Sequence, residues 1–184
     1  MDIKFIEVGV CGLSCRLCPT YHSKGKSRCA GCKSPDRMIV GCPFITCAVK
    51  KKGVEFCWQC NESLTCEKWK NHREIGKQSD SFKCYQKLED DIQFIKQQGV
   101  ERFDEHEKLR EDYLKQMLSD FNEGRSKSYF YIAATVLSLV ELHSALQQAN
   151  QSSSGLNLKE KSKILHAILD QIADEKNYCL RLRK

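Results

Sequence analysis

Ten cysteines fall between Cys11 and Cys66, in the order Cys11-x₃-Cys15-x₂-Cys18, Cys29-x₂-Cys32, Cys42-x₄-Cys47, Cys57-x₂-Cys60 and Cys66. Thiolates are soft ligands, and sulfurs spaced two to four residues apart can converge on one ion. Three Cys-x₂-Cys pairs occur: Cys15/Cys18, Cys29/Cys32 and Cys57/Cys60. Tetrahedral zinc takes such pairs two at a time. Cys29/Cys32 with Cys57/Cys60 would form one four-sulfur site, and Cys15/Cys18 with Cys42/Cys47 a second, interleaved one. Cys11 and Cys66 are then left over or replace members of either set. The spacing predicts two zinc sites and leaves the pairing open.

A 4Fe–4S cluster is the alternative. The opening Cys11, Cys15 and Cys18 have the C-x₃-C-x₂-C spacing of radical enzymes that keep one iron open for a sulfonium cofactor. Those enzymes continue in repeated βα units, whereas nothing after Tyr85 alternates strand with helix. Leu17 also stands where an aromatic residue is usual. Cys18-Pro19 and Cys42-Pro43 resemble ferredoxin ligand endings, but the three successive C-x₂-C steps of those runs are missing. Thiol-based redox or metal handling is the competing function class on this side.

Other residues have plainer readings. His22 lies three residues beyond Cys18 and reads as a loop histidine beside ten available sulfurs. Trp58, inside the Cys57/Cys60 pair, shields the site. Cys84 and Cys179 read as packed thiols, Cys84 doubling as a spare ligand. "GRSKS" (124–128) looks like a phosphate nest but lacks the Walker pattern, and a serine helix cap accounts for it. No Ser/His/Asp set or carboxylate pair stands out, so no catalytic residue is named and enzymatic activity stays undecided.

The elements that must position the sulfurs divide the chain in two. Eleven of the 12 cysteines lie in the first 84 of 184 residues, and Gly, Pro and Lys interrupt that stretch throughout. Units below ~70–80 residues usually need disulfides or metal to hold them. The N-terminal "MDIKFIEVGV" lacks the basic region and the apolar run of ~7–15 residues of a secretory signal. No run of ~18 apolar residues suits a membrane span. The expected location is the cytoplasm, where thiols stay reduced and metal replaces disulfide. Residues 1–84 carry a formal charge of +7 and residues 85–184 carry −1. Two ions held by four thiolates each remove about four units of that excess. Nucleic-acid binding is thus weakly supported, and a protein or other macromolecular partner is the expected one.

Partial alternation at Ile3, Phe5, Val8 and Val10 predicts a short strand entering the cluster. Glu67–Lys77 reads as a short helix, and Gly76–Phe82 as a linker. Tyr85, Leu88, Ile92 and Ile95 then define a helix capped at Gly99, and Phe103 to Phe121 a second one. Residues 126–150, apolar on almost every face, read as one central helix. "QSSSG" is a loop. Ile164, Leu165, Ile168, Leu169 and Ile172 mark a last helix, and "NYCLRLRK" a closing strand. The expected architecture is a small α+β or irregular, metal-stabilised cysteine-rich module over residues 1–80, followed by an all-α bundle of four helices over 81–184.

The runs "CGLSCRLCPTY", "CAGC" and "CPFITCAVKKKGVEFCWQCNESLTCEKW" resemble domain-of-unknown-function family 3795, a prokaryotic cysteine-rich family. "FNEGRSKSYFYIAATVL" looks like the helical extension of a longer branch of it. "NESLTCE" departs from the family's aromatic-Pro-Cys-Glu ending, and Tyr131 stands where that branch often has cysteine. The resemblance implies zinc binding, brings no known activity with it and leaves the function open.

Overall fold

The computed structural model describes residues 2–26 and 28–184. The chain forms two compact units that divide within one helix: one runs through Glu107 and takes in Lys184, the other spans Lys108–Arg183.

The first unit begins irregularly, and its short helices carry the later cysteines. Helix α1 (Pro35–Val40) starts on a proline whose fixed φ suits a first turn, and ends at Gly41 with φ 76°. Helix α2 (Pro43–Ile45) starts the same way and widens into a π turn over Thr46–Lys51. A 3₁₀ turn covers Cys57–Gln59. Helix α3 (Glu67–Gln78) leaves directly from Cys66, and α4 (Leu88–Gln98) ends at Gly99, φ 90°. Helix α5 (Val100–Asp120) follows at once.

Composition alone makes the cysteine segment too poor in apolar residues to fold, and its core is completed from outside it. Val10, Leu13, Ile45, Ala48, Cys57 and Trp69 bury against Leu88 and Ile92 of α4. A second cluster joins Val8 and Phe56 to Ile95 and Phe103. The composition-based boundary after residue 80 lies inside this unit, because residues 81–107 supply the apolar faces that the cysteine segment lacks. A buried ion pair cross-links the middle of the segment. Lys33 Nζ lies 2.6 Å from Glu55 Oε1 and 3.8 Å from the centre of the Phe56 ring. Glu55 in turn accepts the backbone N–H groups of Phe5 and Lys4 at 2.9 and 3.3 Å.

The second unit holds the rest of α5 with α6 (Lys127–Val136), α7 (Leu139–Ser152) and α8 (Leu158–Lys176). Its interior is an ordinary apolar one: Leu114, Met117, Phe121, Phe130, Leu137, Leu142, Leu165 and Leu169 are fully buried. Asn157 and Glu160 form a capping box at the start of α8, and Asn177 closes it in the left-handed conformation, φ 56°.

Several expectations are corrected. Residues 2–10 form no strand: a single bridge, Val8 to Ser14, is the β structure there, and the described residues contain no sheet. The expected α+β character thus reduces to irregular chain with short helices. The terminal "NYCLRLRK" is irregular rather than a strand. Helix α3 runs through Gly76, the expected start of the linker. The single central helix is two helices. Ser138 caps α7 in a reciprocal box with Glu141, and buried Arg110 donates to the carbonyls of Ala134, Thr135 and Leu137 where α6 ends. Apolar patterning alone runs the two together, although Ser138 and Glu141 have the spacing of a capping box. Five helices, not four, therefore follow residue 85. No helix among the described residues is long and apolar enough to cross a membrane.

Candidate metal centre

The fold sorts the cysteines differently from either interleaved pairing. Backbone turns set the first group. Gly12, at φ 95°, lets the turn after Cys11 pack against Ile92, and a Cβ there would come within 3.0 Å of that side chain. The Cys15 N–H donates to Glu7 O, and the Cys18 N–H to Cys15 O. These bonds fold Cys11, Cys15 and Cys18 over one another. Cys32 joins them from the next segment, its N–H donating to Cys15 Sγ at 3.2 Å. A Cβ on Gly9 would stand 3.6 Å from Cys11 Sγ and 3.9 Å from Cys32 Sγ, so these two sulfurs flank one glycine.

Electrostatics tie these residues together, and also couple Cys11 to Cys42 and Cys57. Burial pushes the Cys11 thiol up to about 11, although the Leu13 amide opposes it. The Cys32 thiol donates to Cys15, which raises Cys32 and lowers Cys15. Buried Lys83 faces the group and donates to Ser14 O at 2.9 Å. Burial disfavours its charge, but the thiolates of Cys15, Cys18, Cys32 and Cys11 more than reverse that and hold it protonated. Sequence reading missed Lys83, which lies beyond the last clustered cysteine and resembles any other surface lysine. The hydroxyls of Ser14 and Ser34 are buried beside the group without a hydrogen-bond partner. Cys29 is linked to it through Thr20: the Cys29 N–H donates to Thr20 O, and Thr20 Oγ1 lies 3.0 Å from Cys18 Sγ.

The second group is assembled from the π turn, the 3₁₀ turn and the start of α3. Cys47, Cys57, Cys60 and Cys66 line one cavity of about 40 Å³, walled by Phe44, Ala48 and Trp69. Burial pushes the Cys57 thiol up to about 12, and the charges of Cys11, Cys66, Cys47 and Cys42 add to the effect. Cys42 sits beside Cys47, and its sulfur accepts the Ile45 N–H at 3.4 Å. Lys52 pairs with Glu62 at the rim. Trp58 stacks on Phe56, 4.5 Å between ring centres.

None of the twelve cysteines forms a disulfide. Among the described residues, no three His, Cys, Asp or Glu side chains stand close enough together to share one ion. The donor chemistry nevertheless fits a thiolate-bound metal: four sulfurs around one small cavity, and orphaned hydroxyls and a buried ammonium beside the other group. His22 is a loop residue, with Nε2 2.5 Å from Arg16 O. Cys84 is buried, and Cys179 Sγ lies 3.5 Å from Arg181 O. Ser126 precedes α6 but does not cap it; its hydroxyl donates instead to Glu123 at 2.6 Å.

No curated protein and no solved structure matches the chain. Residues 7–71, from the turn before Cys11 into α3, match the model of a protein family of unknown function, DUF3795, leaving the helical unit and Lys83 outside the match. The similarity to that family is thus confined to the cysteine-bearing segment.

Proposed function

We propose that the first unit binds two zinc ions through thiolates and that the metal is chiefly structural. Cys11, Cys15, Cys18 and Cys32 would hold one ion, with Cys29 near, and Cys47, Cys57, Cys60 and Cys66 the other, with Cys42 near. The observation that carries this reading is the cavity lined by four cysteines from three separate segments. An ion there would cross-link the π turn, the 3₁₀ turn and α3, replacing the apolar core that these segments lack. Coordination requires the thiol side chains to rotate inward, since they do not converge as they stand. Lys83 would offset part of the negative charge of the first site.

The unit then serves as a stable recognition module in a reducing compartment, its partner a protein or other macromolecule. Exposed Ile39, Val40 and Leu64 support a surface that meets a partner. Anaerobic purification with metal analysis and a visible spectrum on one sample tests the metal assignment. About two zincs per chain and no visible band support it. Iron with acid-labile sulfide and a brown colour would replace it with the cluster reading.

A further inference from the structure

The second cysteine group differs from the first in having an open flank. A pocket of about 440 Å³ lies beside it, lined by Cys42, Cys47, Val40, Pro43, Lys51 and Lys68. Cys15 and Cys18 of the first group, by contrast, are 2% and 6% exposed. Each group has a fifth sulfur near it, one more than a tetrahedral ion takes, and at the second group that sulfur lies on the open flank. The extra one, Cys42, shares the pocket with Cys47, a member of the four-sulfur cavity. Cys47 itself rides on a π turn, a wide and irregular backbone element that often marks functional positions. Lys51 and Lys68 are exposed at this pocket and form no ion pair among the described residues.

Resting on the zinc reading above, we propose that the second group is an exchangeable metal site whose ion enters and leaves through the Cys42/Cys47 pocket. The competing ligand it admits is a small anionic chelator, drawn by Lys51 and Lys68, while the first site stays closed. Cys42 acts as the incoming sulfur: it binds the ion as another thiolate lets go, so no intermediate loses a ligand outright. When the ion leaves, it passes to the donor atoms of the chelator, and the freed thiolates take protons from the buffer. Closure of the first site follows from the burial of Cys15, Cys18 and the adjacent Lys83, while Cys11 and Cys32 are part-buried and lie outside the pocket at Cys42 and Cys47.

The test uses the zinc-loaded full chain under reducing, oxygen-free conditions. A brief exposure to EDTA is followed by N-ethylmaleimide and peptide mass mapping of the alkylated cysteines. Cys47, Cys57, Cys60 and Cys66 are expected to be labelled at least about tenfold faster than Cys11, Cys15, Cys18 and Cys32. Charge reversal by K51E with K68E is expected to slow removal by anionic EDTA several-fold and to leave removal by a neutral pyridyl chelator unchanged. C42S is expected to keep two zincs per chain and to slow exchange at the second group. Equal labelling of the two groups, or earlier labelling of the first, overturns the exchange proposal and leaves the zinc reading intact. Loss of an ion in C42S would make Cys42 a holding ligand and overturn its role here. A chain that binds no zinc overturns both.

Discussion

The two units solve the same problem with different means. The helical unit, Lys108–Arg183, buries long apolar side chains on each of its helices, and local signals such as the Ser138 and Asn157 caps say where the helices start. The cysteine-bearing unit has two small apolar clusters, a buried Lys33–Glu55 pair, a buried Lys83 and two groups of sulfurs. Hydrophobic burial is non-directional and tolerates variation in detail. Charge pairs and thiolates demand geometry, and fail sharply when one partner is lost. The difference teaches that the first unit leans on paired, directional contacts where the helical unit leans on buried area.

Metal removal should expose that contrast most strongly. With a chelator and reductant, amides across residues 11–66 are expected to lose hydrogen-exchange protection while those of α7 and α8 keep theirs. Simultaneous loss in both units, or loss in neither, would erase the distinction. The next largest effect concerns the buried ion pair. Glu55→Gln leaves Lys33 buried without its partner charge and should cost about 3–5 kcal/mol, read as a lower denaturation midpoint of the first unit. A double replacement, K33M with E55Q, should recover part of the loss; no recovery would show that the pair itself is not the cause.

In the helical unit the corresponding test is Leu165→Ala, at a fully buried position. Loss of transfer energy plus the cavity left behind should cost about 2–5 kcal/mol and leave metal content unchanged. A fall in metal content would show that the two halves are energetically joined. Ser138→Ala removes one side of the α7 capping box and should cost about 1 kcal/mol, with faster exchange at the amide of Glu141.

The smallest expected effect is pH dependence at His166. Its Nε2 lies 2.7 Å from Ser126 Oγ, and because that hydroxyl donates to Glu123, His166 is the donor in this contact. Its ring stacks on Tyr129, with 4.1 Å between centres. Burial lowers its proton affinity, against the pull of Asp170 and Glu123. The folded chain therefore takes up this proton later than the unfolded chain. Its contribution to stability is complete above the ordinary imidazole value of about 6.5 and is lost as pH falls through the depressed one. Thermal unfolding of the helical unit at pH 5 and pH 8 should show a decline that H166Q reduces. An identical decline in H166Q would assign it to another group.

Much of the helical half could be read from the chain. The stripes at Leu88–Ile95, Phe103–Phe121 and Ile164–Ile172, together with Gly99, place three helices without reference to tertiary contacts, because periodicity and caps are local properties. The break after Val136 is marked locally by the Ser138–Glu141 box, but apolar patterning ran the two helices together, and the carbonyls freed there are taken up by Arg110, far away in sequence. Among the cysteines, sulfur spacing was enough to mark the segment as a thiol-rich one and to show its resemblance to a family whose model matches residues 7–71.

Spacing could not say which sulfurs meet. Cys-x₂-Cys logic joined Cys29/Cys32 to Cys57/Cys60 and Cys15/Cys18 to Cys42/Cys47, because it treats each pair as an independent clamp. The folded chain instead sets Cys32 against Cys15 and gathers Cys47, Cys57, Cys60 and Cys66 around one cavity. That grouping depends on where α3 and α4 bring distant segments together, as does the burial of Lys83 beside the first group. Residue type and local spacing determined that the first segment is rich in closely spaced thiols. Long-range packing alone decided which of them lie near one another, since a side chain's neighbours across a fold leave no trace in its sequence neighbours.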